Sequence, residues 1–275
     1  MPRRVLLAMF MMTPAALGAE TGSTLRPGVA YHYVKSNLDG SDPWQVTTYV
    51  SSPMRLDVLK WGPGRGEIVE VTADLDRTGC VSQHFEQWNL RDGVMALSMW
   101  ADLSEDGWTL SFHREGSPAI ALRGSGRPLH PYGFDMQAMN VSPGCLSRTK
   151  PPVIGLNGFN PVPGATPPLV DYGPIRVESL GDEQLGDIPC RKVRLAGKDF
   201  SVLTWFFRED GRIVRAESAR PDSDDWTSFR LERKGTERMD PFEWHAFRAR
   251  VLGRFVTSQP GGARPAAAPD AGSAR

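Results

Sequence analysis

From residue 29 onward the sequence runs in strand-length stretches separated by short clusters of turn formers, and this rhythm restricts the fold more than any other feature. "VAYHYVKS" alternates, "NLDGSDP" interrupts it, "WQVTTYVSS" follows, and Pro53 ends that run. "MRLDVLK" leads into "WGPGRG", "EIVEVTADL" into "DRTG" and "CVSQHFEQW" into "NLRDG", while "VMALSMWADL" and "WTLSFHRE" flank "SEDG". Short runs joined by Gly-containing turns predict an antiparallel meander, because an alternating α/β order would need helix-length segments between strands. The 28 glycines and 23 prolines fit such a turn-rich chain.

Residues 140–173 break the rhythm. Seven prolines fall between positions 143 and 168. Proline has no amide donor and a fixed φ, so the stretch cannot be central sheet and reads as a linker or a lid. "GSG" at 124–126 reads as a turn, and "HPYGFDMQAM" just before the Pro-rich stretch as a short helix. Residues 174–255 then return to strands: "GPIRVESLG", "IPCRKVRLAG", "FSVLTWFFR", "RIVRAESA" and "WTSFRLERK". They end in "MDPFEWHAFRARVLGRF", where Asp240 is placed as an N-cap, Pro241 opens the helix, and Trp244, Phe247, Val251 and Phe255 form one apolar stripe. The Pro/Ala/Gly tail over 256–275 is expected to be disordered. The fold class is therefore mainly β: an N-terminal β-rich half (20–139) and a C-terminal one (174–255) share one extended curved sheet or half-barrel, with a C-terminal amphipathic helix on it.

The first 19 residues have the order of a secretory signal peptide: basic "MPRR", apolar "VLLAMFMMTPAAL", then small residues at "ALGAE". That apolar core is too short to span a bilayer. A periplasmic or secreted protein is expected, one that is not integral to the membrane and has no lipidation Cys at the cleavage site. Lys plus Arg equals Asp plus Glu at 32 each, so no global field draws the chain to nucleic acid. In an oxidising compartment the three cysteines, Cys80, Cys145 and Cys190, allow one disulfide. Cys80 to Cys145 would stay within the N-terminal part and Cys145 to Cys190 would reach the second half; three buried thiols are the alternative.

The hairpin "SVLTWFFREDGRIVRAES" over 201–218 carries the binding expectation. If Asp210-Gly211 is a two-residue turn, Phe207 faces Val214, Phe206 faces Arg215 and Thr204 faces Glu217. Leu203, Trp205, Phe207, Val214 and Ala216 then form a core face. Val202, Thr204, Phe206, Arg208, Ile213, Arg215 and Glu217 form the other face. It reads first as the wet side of a sheet and second as the inner wall of a half-barrel gripping an amphipathic ligand. The ligand-binding candidates are Trp205 or Phe206, whichever points inward, with Arg215 supplying a cation to an acidic head group.

"GDIPCRKVRL", "LTWFFREDGRIVRAES" and "WTSFRLERK", in that order over about 174–234, resemble the end of the exported half-barrels around the lipoprotein-localisation factors, LolA- and LolB-like. The resemblance implies a curved antiparallel sheet closed by a helix around an apolar hollow that in relatives can hold acyl chains. The chain departs from LolB-like proteins in lacking the lipidation Cys, and its Pro-rich stretch has no counterpart in the simple LolA-like pattern.

Other chemistry finds little support in the residues. Asp74-x-Asp76, with His84 a strand away, offers too few donors for a metal site, and both aspartates read as turn formers. There is no His-Glu-x-x-His, Cys-x-x-Cys or Gly-x-Ser-x-Gly. Cys145 with His130 and Asp135 has no geometric warrant as a catalytic set, and "GPGRG" at 62–66 precedes a strand, so it lacks the helix N-terminus of a phosphate cradle. Eight Trp point either to bulky core or to an aromatic-lined cavity. The leading expectation is a non-enzymatic envelope factor binding a lipid or other apolar ligand, with no cofactor and no metal. The alternatives are a scaffold for an envelope protein partner, then a hydrolase.

Overall fold

The structure, a computed structural model, describes residues 25–63, 66–76, 82–91, 93–103, 107–112, 120–125, 153–158, 170–198, 200–220 and 226–256. Among the described residues, fourteen strands form one antiparallel sheet. The first eight are β1 (Val29–Ser36), β2 (Trp44–Ser52), β3 (Arg55–Gly62), β4 (Glu67–Leu75), β5 (Ser82–Arg91), β6 (Val94–Leu103), β7 (Gly107–Phe112) and β8 (Ile120–Ser125). The remaining six are β9 (Val153–Gly158), β10 (Val170–Leu185), β11 (Ile188–Gly197), β12 (Phe200–Phe207), β13 (Ile213–Ser218) and β14 (Phe229–Arg238), followed by helix α1 (Pro241–Val256). In space the order is β8-β7-β6-β5-β4-β3-β2-β1-β14-β13-β12-β11-β10-β9, so two meanders meet where β1 pairs with β14. Strands β8 and β9 are the outer strands and are not paired with each other, which leaves the sheet open.

The two faces of this sheet differ. Alternate residues such as Tyr31, Tyr33, Val46, Val58, Val71, Phe85, Ala101, Leu195, Phe206 and Leu231 belong to one apolar cluster drawn from ten strands. None of the buried members exceeds 7% exposure, although α1 lies on the opposite face. Burial that complete, without a described helix on that side, requires the sheet to curl over itself, so this face is the inside of a half-barrel. The other face carries ion pairs between neighbouring strands, as an outward surface should. Examples are Arg230–Glu217 at 2.9 Å and Lys192–Glu183 at 2.7 Å.

Helix α1 covers part of that outer face. Asp240 and Glu243 exchange side-chain-to-backbone hydrogen bonds, each 2.8 Å, forming a reciprocal N-terminal cap. Trp244 stacks on Tyr49 at 4.9 Å, and Val251, Phe247 and Phe255 continue the contact over Ala30, Leu59 and Ile68. The apolar stripe expected of the helix is therefore the surface it buries. Arg248 extends to Glu70 on β4, beyond the stripe.

Several local expectations are corrected. The β12–β13 loop holds four residues instead of two: Phe207 N–H donates to Arg212 O and Gly211 N–H donates back to Phe207 O, both at 2.8 Å. Gly211 supplies the positive φ, 67°, that closes this loop, and the Asp210 carboxylate accepts from Arg212 N–H and from Arg233. A bulge then inserts Val214, so Trp205 pairs with Arg215 and Phe206 with Ile213. One extra residue reverses the side on which every later residue lies.

"GSG" is not simply a turn, because Gly124 and Ser125 close β8 against Trp108 and Gly107. Asp74 lies within β4, opposite His84, and is not a turn residue. The strand that holds "GPIRVESLG" runs from Val170 to Leu185, with a register shift between Ser179 and Gly181. Within 140–173, β9 and the start of β10 are sheet at its margin, where proline is tolerated. The expected leader over 1–19, Cys80, Cys145, "HPYGFDMQAM" and the tail beyond Val256 lie outside the described residues.

Candidate functional site

The inner face is the surface from which a site can be built. Its middle is aromatic and aliphatic, and two hydroxyls are buried in it: Thr48 on β2 and Thr204 on β12 have side-chain oxygens with no hydrogen-bond partner. Thr48 lies between Tyr31 and Val58, and Thr204 between Val193 and Ala216, which fixes both on the inner side. A buried polar atom without a partner is costly and calls for a reason.

One end of this face is more polar. In "VAYHYVKS" the alternation that turns Tyr31 and Tyr33 inward also turns Lys35 inward. Lys35 is 8% exposed, and its ammonium lies 5.0 Å from the centre of the Trp226 ring and 5.7 Å from that of Phe229. Lys60, also 8% exposed, faces inward on β3 between Val46 and Val69. Trp44 pairs with Lys35 and meets Trp226 edge-on at 6.4 Å. Its indole Nε1 is buried without an acceptor.

Two local devices hold this end together. Gly62 leaves room for Trp44, since a Cβ there would stand 2.8 Å from the indole Cε2. Asn37 Oδ1 accepts from Thr227 N–H at 2.9 Å and Ser228 N–H at 3.1 Å, which ties the approach to β14 to the β1–β2 loop and seats Trp226.

Of the residues singled out in the hairpin, Trp205 and Arg215 are cross-strand partners on the outer face, and Phe206 lies on the inner one. Phe206 lies in the inner cluster at 4% exposure. Trp205 faces outward with Cys190 and Val214, under the Lys192 ammonium at 4.8 Å. Arg215 is on Trp205's side, hydrogen-bonded to Glu232 at 3.4 Å and near Glu217. Cys190 is a buried thiol; burial pushes its pKa up, and its Sγ donates to Ile188 O at 3.4 Å.

Elsewhere, Arg55, Asp74, His84 and Asp102 form a cross-strand row on the outer face. His84 Nδ1 is 2.7 Å from Asp102 and Nε2 is 3.5 Å from Glu86. Burial opposes the charge on His84, but the hydrogen bonds to Asp102 and Glu86 outweigh it and raise the pKa. No group of three metal-type ligands occurs among the described residues. An open groove of about 570 Å³ at the β2–β3 turn is lined by Ser52, Met54, Arg55, Asp74, Leu75 and Gln83.

No family model and no curated protein matches the chain. Solved structures do. It is similar to a β-barrel-like protein of a domain of unknown function, DUF1849, from Brucella abortus, at 9% identity and TM-score 0.38, covering 77% of this chain and 97% of that one. It is similar to a putative outer membrane lipoprotein-sorting protein domain from Vibrio parahaemolyticus, at 12% identity and TM-score 0.23, covering 82% and 91%. It is also similar to a LolA superfamily protein from Nitrosomonas europaea, at 11% identity and TM-score 0.23, covering 77% and 85%. The resemblance read from residues 174–234 is thus met among solved structures. A likeness of this degree carries no argument about activity. No described helix is long and apolar enough to cross a membrane.

Proposed function

We propose that this chain is an exported cell-envelope protein that holds an apolar or amphipathic ligand against the inner face of its half-barrel, without catalysing a reaction. The observation that carries this reading is the inner face itself: one continuous apolar and aromatic surface drawn from ten strands. Ligand pockets combine such a lining with a few placed polar groups, and Thr48, Thr204 and Trp44 have buried polar atoms awaiting partners. The basic, apolar and small-residue order over residues 1–19 supports export.

A second reading has its own support. The inner cluster is packed to a few per cent exposure, as a filled core would be, which favours an envelope scaffold that works through a protein partner. Native mass spectrometry of the purified protein, with solvent extraction of anything bound, separates the two. A near-stoichiometric lipid or other apolar molecule supports the carrier and names its ligand class. A clean apo mass, with no uptake of added fatty acid or phospholipid, overturns the carrier and leaves the scaffold.

A further inference from the structure

Helix α1 lays Trp244, Phe247, Val251 and Phe255 on the sheet and turns a second stripe to solvent. Phe242, Ala246, Ala249 and Gly253 recur at helical spacing on the side opposite the sheet, and all are exposed. We infer that this stripe docks a second copy of the chain through an antiparallel pair of α1 helices. The inference goes beyond ligand binding and does not depend on what the inner face holds.

Two residues of the stripe are poorly accounted for by the single chain. Phe242 is 81% exposed, more than any other large apolar side chain among the described residues. Glycine weakens a helix, and the fold does not require one at 253: an added Cβ would meet no atom within 4 Å, and no positive φ calls for it. What Gly253 does provide is a notch that another backbone or ring can enter. Ala246 and Ala249 keep the surface low between ring and notch, and helix axes approach more closely where the residues between them are small.

One arrangement uses both ends of the stripe. If two copies of α1 cross antiparallel about a two-fold axis between Ala246 and Ala249, Phe242 of each copy falls level with Gly253 of the other. Charge favours the same direction. Glu243 in the first turn shares one flank of the stripe with Arg250 and with Arg254 in the last turn. In the antiparallel pair, Glu243 of one copy lies level with Leu252 of the other, between Arg250 and Arg254. A parallel pair would set glutamate against glutamate and arginine against arginine. The attraction adds to whatever contacts these arginines make in their own chain, and antiparallel helix dipoles favour the pair as well. Two helices of 16 residues make a smaller contact than the about 1,200–2,000 Å² of a stable interface, so the dimer should be weak and depend on concentration.

The test is sedimentation equilibrium of the purified full chain from micromolar to near-millimolar concentration, where the average mass should rise toward that of a dimer. Phe242→Ser removes the knob and Gly253→Leu fills the notch. Both positions are exposed, so the circular dichroism of dilute protein should be unchanged, while each substitution should weaken association about tenfold or more. If either variant does not fold, the other carries the same test. Cysteine scanning then reads the direction: a mixture of Phe242→Cys and Gly253→Cys chains should cross-link between the two variants faster than either variant does with itself. A monomer at every concentration overturns the proposal, as does a dimer that survives both substitutions. Faster cross-linking of Phe242→Cys with itself overturns the antiparallel pair.

Discussion

Arg248 of the C-terminal helix donates from Nε and Nη2 to the two carboxylate oxygens of Glu70 on β4, at 2.5 and 2.6 Å. The Glu70 side chain is only 10% exposed and that of Arg248 is 36% exposed. Removing the arginine leaves a largely buried carboxylate beside Asp57, whose own pKa burial already raises. Arg248→Ala should cost about 1–3 kcal/mol, less than the ~3–5 kcal/mol of a fully buried pair because solvent reaches the guanidinium. Urea unfolding measures it. An unchanged midpoint would mean that the helix is held by Trp244 and Val251 alone.

Gly62→Ala should strain the inner face. The added Cβ would meet the Trp44 ring carbon Cε2 at 2.8 Å, and a rigid indole cannot turn a flexible end aside. A loss of about 1–3 kcal/mol, typical of overpacking, is expected. A shift in tryptophan emission should accompany it. Unaltered stability and emission would show that the ring is not pinned by β3.

Phe206→Ala and Arg215→Ala should separate cleanly, although the two residues are near neighbours in the hairpin. Phe206 is 4% exposed in the inner cluster, so its truncation should cost about 3–5 kcal/mol. Arg215 has a side chain 29% exposed in an outer ion-pair network, and its loss should cost no more than about 1 kcal/mol. It should also leave the affinity for anionic amphiphiles unchanged. A drop in that affinity in Arg215→Ala would put the head group on the outer face.

His84 gives a pH dependence of known sign. Its folded pKa is raised above 6.5 by Asp102 and Glu86 against the opposing effect of burial. Its contribution to stability should be present in full below the unfolded value and be lost as pH rises through the higher folded one. Thermal unfolding from pH 5 to 9 should show this step, and His84→Gln should flatten it. A step that persists in the variant belongs to another group.

The sheet and helix were legible because both rest on strong local patterns. Period-two alternation in "VAYHYVKS" and "EIVEVTADL" defines strands, and the spacing of Trp244, Phe247, Val251 and Phe255 defines the helix. The hairpin register was not legible. Asp210-Gly211 is a proper two-residue turn by local chemistry, yet Asp210 is engaged by Arg233, which is distant in sequence, and Val214 bulges. Those contacts arise from the β13–β14 side of the fold, and no local preference encodes them. The inward cations were half legible: Lys35 follows Tyr31 and Tyr33 in phase, so its inward side could be read once the strand's buried side was known. Lys60 and Trp44 needed the pairing of three strands to be placed together.

The seam between β1 and β14 also governs how the molecule must be made. Val29 pairs with Arg238, so the contact at the centre of the sheet closes the longest loop in the molecule, while β8 and β9, the outer strands, come from mid-sequence. Each meander can zip up from neighbouring hairpins as it is synthesised. Their union must wait until nearly the whole chain has emerged, which makes it the slow, high-contact-order step of folding. Until then the inner face of each half is bare, and the unclosed seam is where a chaperone, or a second copy of the chain, would find the incomplete protein.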